Sequence, residues 1–159
     1  MPDMLVKLYD LPPIDGLIAK LAEEGIFIKR AMATDLFPIC DFVRETFGTG
    51  WAGEAQKAVC NLPSTCYIAA QKGEIVGFAC FDTTAKDFFG PTGVSESMRG
   101  KGVGKALYLK CLHAMYESGY AYAIVGGAGP VDFYAKASGA TVIPDCWPGE
   151  YHNLVKIEE

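Results

Sequence analysis

Gly93-Val94-Ser95-Glu96-Ser97-Met98-Arg99-Gly100-Lys101-Gly102-Val103-Gly104-Lys105-Ala106-Leu107-Tyr108-Leu109-Lys110 decides the fold. An apolar strand runs into a glycine-rich turn, and the turn opens a helix predicted over Val103–Ser118, with Val103, Leu107, Cys111, Ala114 and Met115 on its apolar face. A helix N-terminus presents unpaired N–H groups and the positive end of the helix dipole, a ready site for phosphate. Gly100, Gly102 and Gly104 let a ligand approach the main chain, and Arg99, Lys101 and Lys105 add positive charge. Ser97 to Tyr116 holds no acid, although the chain carries 19 acidic residues against 14 basic ones.

Two common phosphate motifs fail. A Walker A loop would need glycine at Arg99 and a hydroxyl at Ala106, and a dinucleotide fingerprint on Gly100 and Gly102 would need glycine at Lys105. The pattern present is Arg99-x-x-Gly102-x-Gly104, followed about 30 residues on by Asp132-Phe133-Tyr134-Ala135-Lys136-Ala137-Ser138-Gly139. In both segments the chain resembles the GNAT superfamily of N-acetyltransferases. The resemblance covers residues 26–157 by element order and is sharp from Gly90 to Ala140. It implies an α/β (α+β) fold, with a mixed, mostly antiparallel central sheet flanked by helices, as one acyl-CoA N-acyltransferase domain over 1–159. Residues 1–25 would be an N-terminal extension packed on it.

The resemblance also implies a division of labour with acetyl-CoA as co-substrate. The backbone of Thr92, Gly93 and Val94 would pair with the pantetheine arm. The N–H groups of Arg99, Gly100, Lys101, Gly102, Val103, Gly104 and Lys105 would hold the pyrophosphate. Tyr134 would protonate the leaving thiolate, a plausible task for a phenol of pKa near 10 facing a thiol near 8.5. A backbone N–H near the strand bulge would receive the oxyanion. Two departures stand out: Gly126-Gly127-Ala128-Gly129-Pro130 replaces a family asparagine, and Phe88–Val94 has no acid where members carry a general base. Glu54, Asp82, Asp132, Glu150, His152 and relayed water are the candidates left for that role.

Helices are expected over Ile14–Glu24, from a cap at Thr34 or Asp35 to Thr46 with Pro38 in its first turn, over Glu54–Asn61 after a glycine-rich loop at Phe47–Gly53, and over Pro130–Ala137. Strands are expected at Ile26–Ile28, in a hairpin of Cys66–Ala70 and Glu74–Phe81, and at Phe88–Val94, Tyr120–Val125, Ala140–Ile143 and Tyr151–Ile157.

A net charge of -5 argues against a nucleic-acid partner and suits a cationic one. No apolar run reaches the roughly 18 residues of a membrane span, and no signal peptide is read, so the expectation is a cytoplasmic protein that binds no membrane. Its six cysteines are read as buried thiols. His113 and His152 sit in unrelated segments, so no metal site is expected. The acceptor is expected to be a small-molecule primary amine, with an amino sugar such as glucosamine favoured. Trp51, Glu54 and Tyr151 are its candidate contacts, since aromatic faces pack on sugar C–H surfaces and carboxylates bind ammonium or hydroxyls. The segments Phe89–Val94 and Gly126–Tyr134 also look like glucosaminide N-acetyltransferases within the family. Polyamines, amino acids and protein amines stay open as acceptors, as do a non-catalytic acyl-CoA-binding module and a homodimer.

Overall fold

A computed structural model describes residues 1–156. Seven strands form one sheet: β1 Met4–Lys7, β2 Ile26–Arg30, β3 Cys66–Gln71, β4 Glu74–Phe81, β5 Phe88–Val94, β6 Tyr122–Val125 and β7 Thr141–Val142. Among the described residues five α-helices pack on it: α1 Asp15–Glu23, α2 Leu36–Phe47, α3 Thr49–Cys60, α4 Val103–Glu117 and α5 Val131–Ser138. The strand order is β2-β3-β4-β5-β6-β1-β7, antiparallel throughout except between β5 and β6.

The β3–β4 hairpin turns through Lys72 and Gly73, both at positive φ (52° and 77°), as a tight two-residue turn requires. Its side chains alternate with period two. Cys66, Ile68, Phe78 and Cys80 enter a core under α2 and α3, while Tyr67, Ala69, Ala79 and Phe81 enter the core around α4. Helix α4 is buried well beyond its expected stripe, because Ala106, Tyr108, Leu109 and Leu112 are also covered. Partly buried Leu17 and Ile18 of α1, and Val131 and Phe133 of α5, pack against the same core. A helix enclosed this way needs apolar residues on several faces.

The structure corrects several expectations. The segment Phe47–Gly53 is mostly helix: Gly48, at φ 105°, breaks α2 from α3, and α3 runs on from Thr49. Its buried stripe is Ala52, Ala55, Ala58 and Val59, small side chains that give a weak apolar signal. Asp35 does not cap α2 with its side chain; its carboxylate accepts the Met32 N–H at 2.8 Å and pairs with Lys29 at 3.1 Å. The strand expected at Tyr120–Val125 begins only at Tyr122, and that at Ala140–Ile143 shrinks to two residues. The strand expected at Tyr151–Ile157 is not formed through residue 156, and Ile157 lies outside the described residues. The place beside β7 is taken from the other end of the chain: β1 pairs Met4 with Val142 on one side and with Val125 on the other. Four cysteines are buried, whereas Cys60 is exposed and Cys146 half-buried, and all six thiols are free.

Candidate active site

β5 and β6 pair only at Phe88–Ile124 and Phe89–Val125, then diverge. From Gly90 onward β5 keeps β4 on one edge, with Thr92, Gly93 and Val94 opposite Ala79, Phe78 and Gly77. Its other edge opens into a cleft of about 650 Å³. Thr92, Gly93, Val94, Arg99 and Gly104 line one end of it, and Tyr108, Phe133 and Tyr134 another wall.

The cleft meets the start of α4. Gly102 precedes the helix in the left-handed conformation (φ 87°), which glycine adopts without cost. The first turn closes when the Ala106 N–H reaches the Gly102 carbonyl at 3.0 Å, so the N–H groups before Ala106 have no intrahelical acceptor. Among the described residues no side chain caps them, and no acid stands in the first turn. A Cβ on Gly104 would meet only Val94 Cγ2, at an ordinary 3.6 Å, so packing does not demand glycine there. The bare main chain, the open strand edge and Arg99 fit a phosphate-bearing, amide-containing ligand such as acetyl-CoA. Gly93 has a packing reason of its own: a Cβ there would overlap the Phe47 ring.

The predicted loop residues divide. Arg99 and Gly104 line the cleft, while Gly100, Lys101 and Gly102 line a surface recess on the α1 side with Leu17 and Lys20. The Val103 side chain is fully buried, and Lys105 is exposed.

Tyr134 is only 6% exposed, edge-on to Phe89, Tyr108 and Phe133 at centroid distances of 6.4, 5.0 and 5.1 Å. Burial pushes its phenol up to about 12. Tyr108 is raised further by the same cause, although its hydroxyl shares a 2.7 Å hydrogen bond with Ser138.

A second recess of about 230 Å³ adjoins the cleft, sharing Trp51, Gly90, Pro91, Gly126 and Gly127 with it. Here the structure brings together Trp51 and Glu54 from α3 and Tyr151 from the turn beyond β7. Trp147, also a wall of the recess, stacks on Tyr151 at 6.2 Å and 26°. Gly126 makes room for that turn, since a Cβ there would overlap the Tyr151 hydroxyl and come within 2.9 Å of Phe88. Burial first, then the Asp3 and Glu54 charges, raise the Tyr151 phenol to about 12, against a smaller opposing pull from the Thr84 hydroxyl.

Of the candidate bases, Glu54 alone lines this recess. The Asp82 carboxylate accepts the Tyr120 hydroxyl (3.0 and 3.1 Å) and the Asp87 N–H (2.8 Å), away from the cleft. Asp132 and Glu150 line neither cavity, and exposed His152 turns Nδ1 to the Gly149 carbonyl at 2.6 Å. Sequence reasoning missed Thr83 and Thr84, which hold Glu54, and Asp3, whose carboxylate accepts the Gly127 N–H at 2.8 Å. Threonines in a turn and an aspartate near the chain start carry no motif that could have marked them.

The family model described as "Acetyltransferase (GNAT) family" matches residues 33–139, which include α2, α3, β3–β6, α4 and α5. Among solved structures, a glucosamine N-acetyltransferase region of a fungal multi-domain GH3 β-N-acetylglucosaminidase aligns with TM-score 0.73 and 16% identity, covering 89% of this chain and 19% of that one. An N-acetyltransferase from Sphaerobacter thermophilus aligns with TM-score 0.68 and 22% identity over 89% of this chain and 48% of its own. A GNAT acetyltransferase from Brucella melitensis in complex with acetyl-CoA gives TM-score 0.54 and 17% identity over 70% of this chain and 80% of its own. The chain thus spans less than half the length of the first two. No match was found among curated proteins. The family match takes in the divergent strands, the Arg99–Gly104 turn and Tyr134 together, and the chain belongs to the acetyltransferase (GNAT) family.

Proposed function

We propose that this protein transfers an acetyl group from acetyl-CoA directly to the primary amine of a small molecule, and that the acceptor is an amino sugar such as glucosamine. The observation that carries the reading is the pair of adjoining cavities. One has a phosphate-ready helix terminus and a buried tyrosine, the other aromatic walls and a carboxylate, and both include Gly90, Pro91, Gly126 and Gly127. In this reading the open edge at Thr92, Gly93 and Val94 takes the pantetheine amides. The N–H groups from Arg99 to Lys105 take the pyrophosphate. Main-chain N–H groups beside Gly90–Pro91 receive the oxyanion.

Tyr134 serves the departing sulfur. Burial raises the phenol to about 12 and raises a thiol beside it in the same direction, so the phenol remains a proton donor matched to a thiolate formed in that site. Its contribution is a hydrogen bond that strengthens as charge builds on sulfur and passes the proton to the departing thiolate, a preference for the transition state over the ground state.

Trp51, Trp147 and Tyr151 offer flat surfaces to sugar C–H groups, and Glu54 offers an acceptor to N–H or O–H. The similar fold of the glucosamine N-acetyltransferase region supports that acceptor class. The cytoplasm is the proposed location, where six free thiols stay reduced. Among the described residues, no helix is long and apolar enough to cross a membrane, and no group of His, Cys, Asp and Glu could hold a metal ion.

The absence of an acid on β5 favours a second reading, a non-catalytic acyl-CoA-binding module. One experiment separates the readings: kcat/KM with acetyl-CoA and glucosamine, short glucosaminides, spermidine, free amino acids and peptides. Turnover with amino sugars above the others supports the proposal. Turnover only with peptides or polyamines removes the sugar, and thiol release with none of them leaves the binding module.

A further inference from the structure

We infer that Glu54 takes the proton from the acceptor nitrogen as the new amide forms, and that Thr84 positions it for that task. The assignment rests on the acetyltransferase reading above and supplies the base that β5 lacks.

Glu54 is half-buried at the recess and held twice. Its main-chain carbonyl accepts the hydroxyl of buried Thr83 at 2.7 Å, and its Oε1 accepts the hydroxyl of Thr84. The turn bearing both threonines is fixed in its own right. The Asp82 N–H donates to the Phe88 carbonyl at 3.0 Å, and the Asp82 carboxylate holds Tyr120 and the Asp87 N–H. Helix α3 is tied to the same turn, because Lys57 Nζ and Asn61 Nδ2 donate to the Asp82 carbonyl at 3.1 and 3.2 Å. One oxygen of Glu54 is thus engaged, and among the described residues the other has no hydrogen-bond partner and the carboxylate no ion pair. Tyr151 shares the recess wall with Glu54, and Lys57 stands about one turn along α3.

The chemistry balances. A neutral amine directs an N–H to the free oxygen of Glu54 and its lone pair to the thioester carbon. As the C–N bond forms, that N–H proton becomes acidic and passes to the carboxylate. The C–S bond breaks with its electron pair on sulfur, which takes the proton passed by Tyr134, and Glu54 returns its own proton to solvent, from which Tyr134 is reprotonated. One amine and one thioester give one amide and one thiol.

The test is steady-state kinetics with acetyl-CoA and whichever of glucosamine, spermidine and a lysyl peptide the wild type acetylates fastest. Glu54→Gln is expected to lower kcat about 100-fold, within the usual range of general base catalysis, with coenzyme A affinity by calorimetry unchanged. Glu54→Ala plus formate is expected to recover part of the lost activity relative to the same variant without formate, whereas Glu54→Gln is not rescued because its amide fills the space. Thr84→Val is expected to lose about tenfold in kcat, the worth of a hydrogen bond to a charged group, while Thr84→Ser retains the hydroxyl and wild-type turnover. Wild-type kcat in Glu54→Gln overturns the assignment, and wild-type kcat in Thr84→Val removes the positioning role. A wild-type protein that acetylates none of these three, nor the short glucosaminides and free amino acids named above, overturns the underlying reading instead.

Discussion

Gly104→Ala separates a glycine required by the fold from one required by a ligand. The position is helical, at the second residue of α4, and the added methyl meets only Val94 Cγ2 at 3.6 Å. Alanine is the better helix former by about 0.5–1 kcal/mol. At about 2–4 °C per kcal/mol for a chain of this size, Tm should stay level or rise by roughly 1–4 °C. The same methyl stands on the cleft wall beside the unpaired N–H groups of the first turn. Displacing a pyrophosphate from one charge-assisted hydrogen bond there costs about 2 kcal/mol, a factor of roughly 30 in affinity. Calorimetry with coenzyme A and a thermal melt on the same preparation measure both effects. Unchanged affinity would place the phosphate elsewhere, and a Tm drop of several degrees would show that the glycine serves the fold.

Tyr134→Phe should lower kcat by about 100-fold with coenzyme A affinity within about twofold, because in the proposed reading the phenol acts mainly in the transition state; equal losses in binding and turnover would make it a packing residue. With the phenol at about 12, the kcat profile should show no falling limb from Tyr134 between about pH 7 and 10; a limb there that vanishes in Tyr134→Phe contradicts its burial. Tyr134 and Tyr151, both raised from 10 to about 12, hold protons in the folded state that the unfolded chain releases. Their contribution is full below pH 10 and lost as pH rises to about 12, so denaturant midpoints should fall across that window and fall less in Tyr134→Phe. Asp87 is raised to about 6, first by burial and then by the Asp82 charge, and it sits at φ 69°, where asparagine is at ease. Its stabilising proton is present below about pH 4 and lost by pH 6, so Asp87→Asn should add on the order of 1 kcal/mol at pH 7, discounted for its exposure, and little at pH 4.

The parts of this molecule that were legible in the sequence are those whose signal is local. The β3–β4 hairpin announces itself by two β-rich runs around Lys72-Gly73, and the Arg99–Gly104 turn by glycines and cations in an acidic chain. β1 was not legible: four residues make a strand only by pairing with Tyr122–Val125 and Thr141–Val142, more than 110 positions away. That pairing also fills the place beside β7, and the following turn carries Trp147 and Tyr151 to the recess instead. Trp51, Glu54 and Tyr151 could be named from residue type, yet their meeting depends on Gly126, whose missing side chain admits Tyr151. Thr84 had no signal at all, since its contact with Glu54 exists only once α3 lies against the β4–β5 turn.

Mass spectrometry of a reaction of the full chain with acetyl-CoA and glucosamine, run beside thiol release, tests the central claim most directly. The account predicts N-acetylated amine and free coenzyme A appearing in equal amounts, with both lowered in Gly104→Ala at limiting acetyl-CoA. Coenzyme A bound in the cleft, with glucosamine not acetylated above the uncatalysed rate, would contradict it.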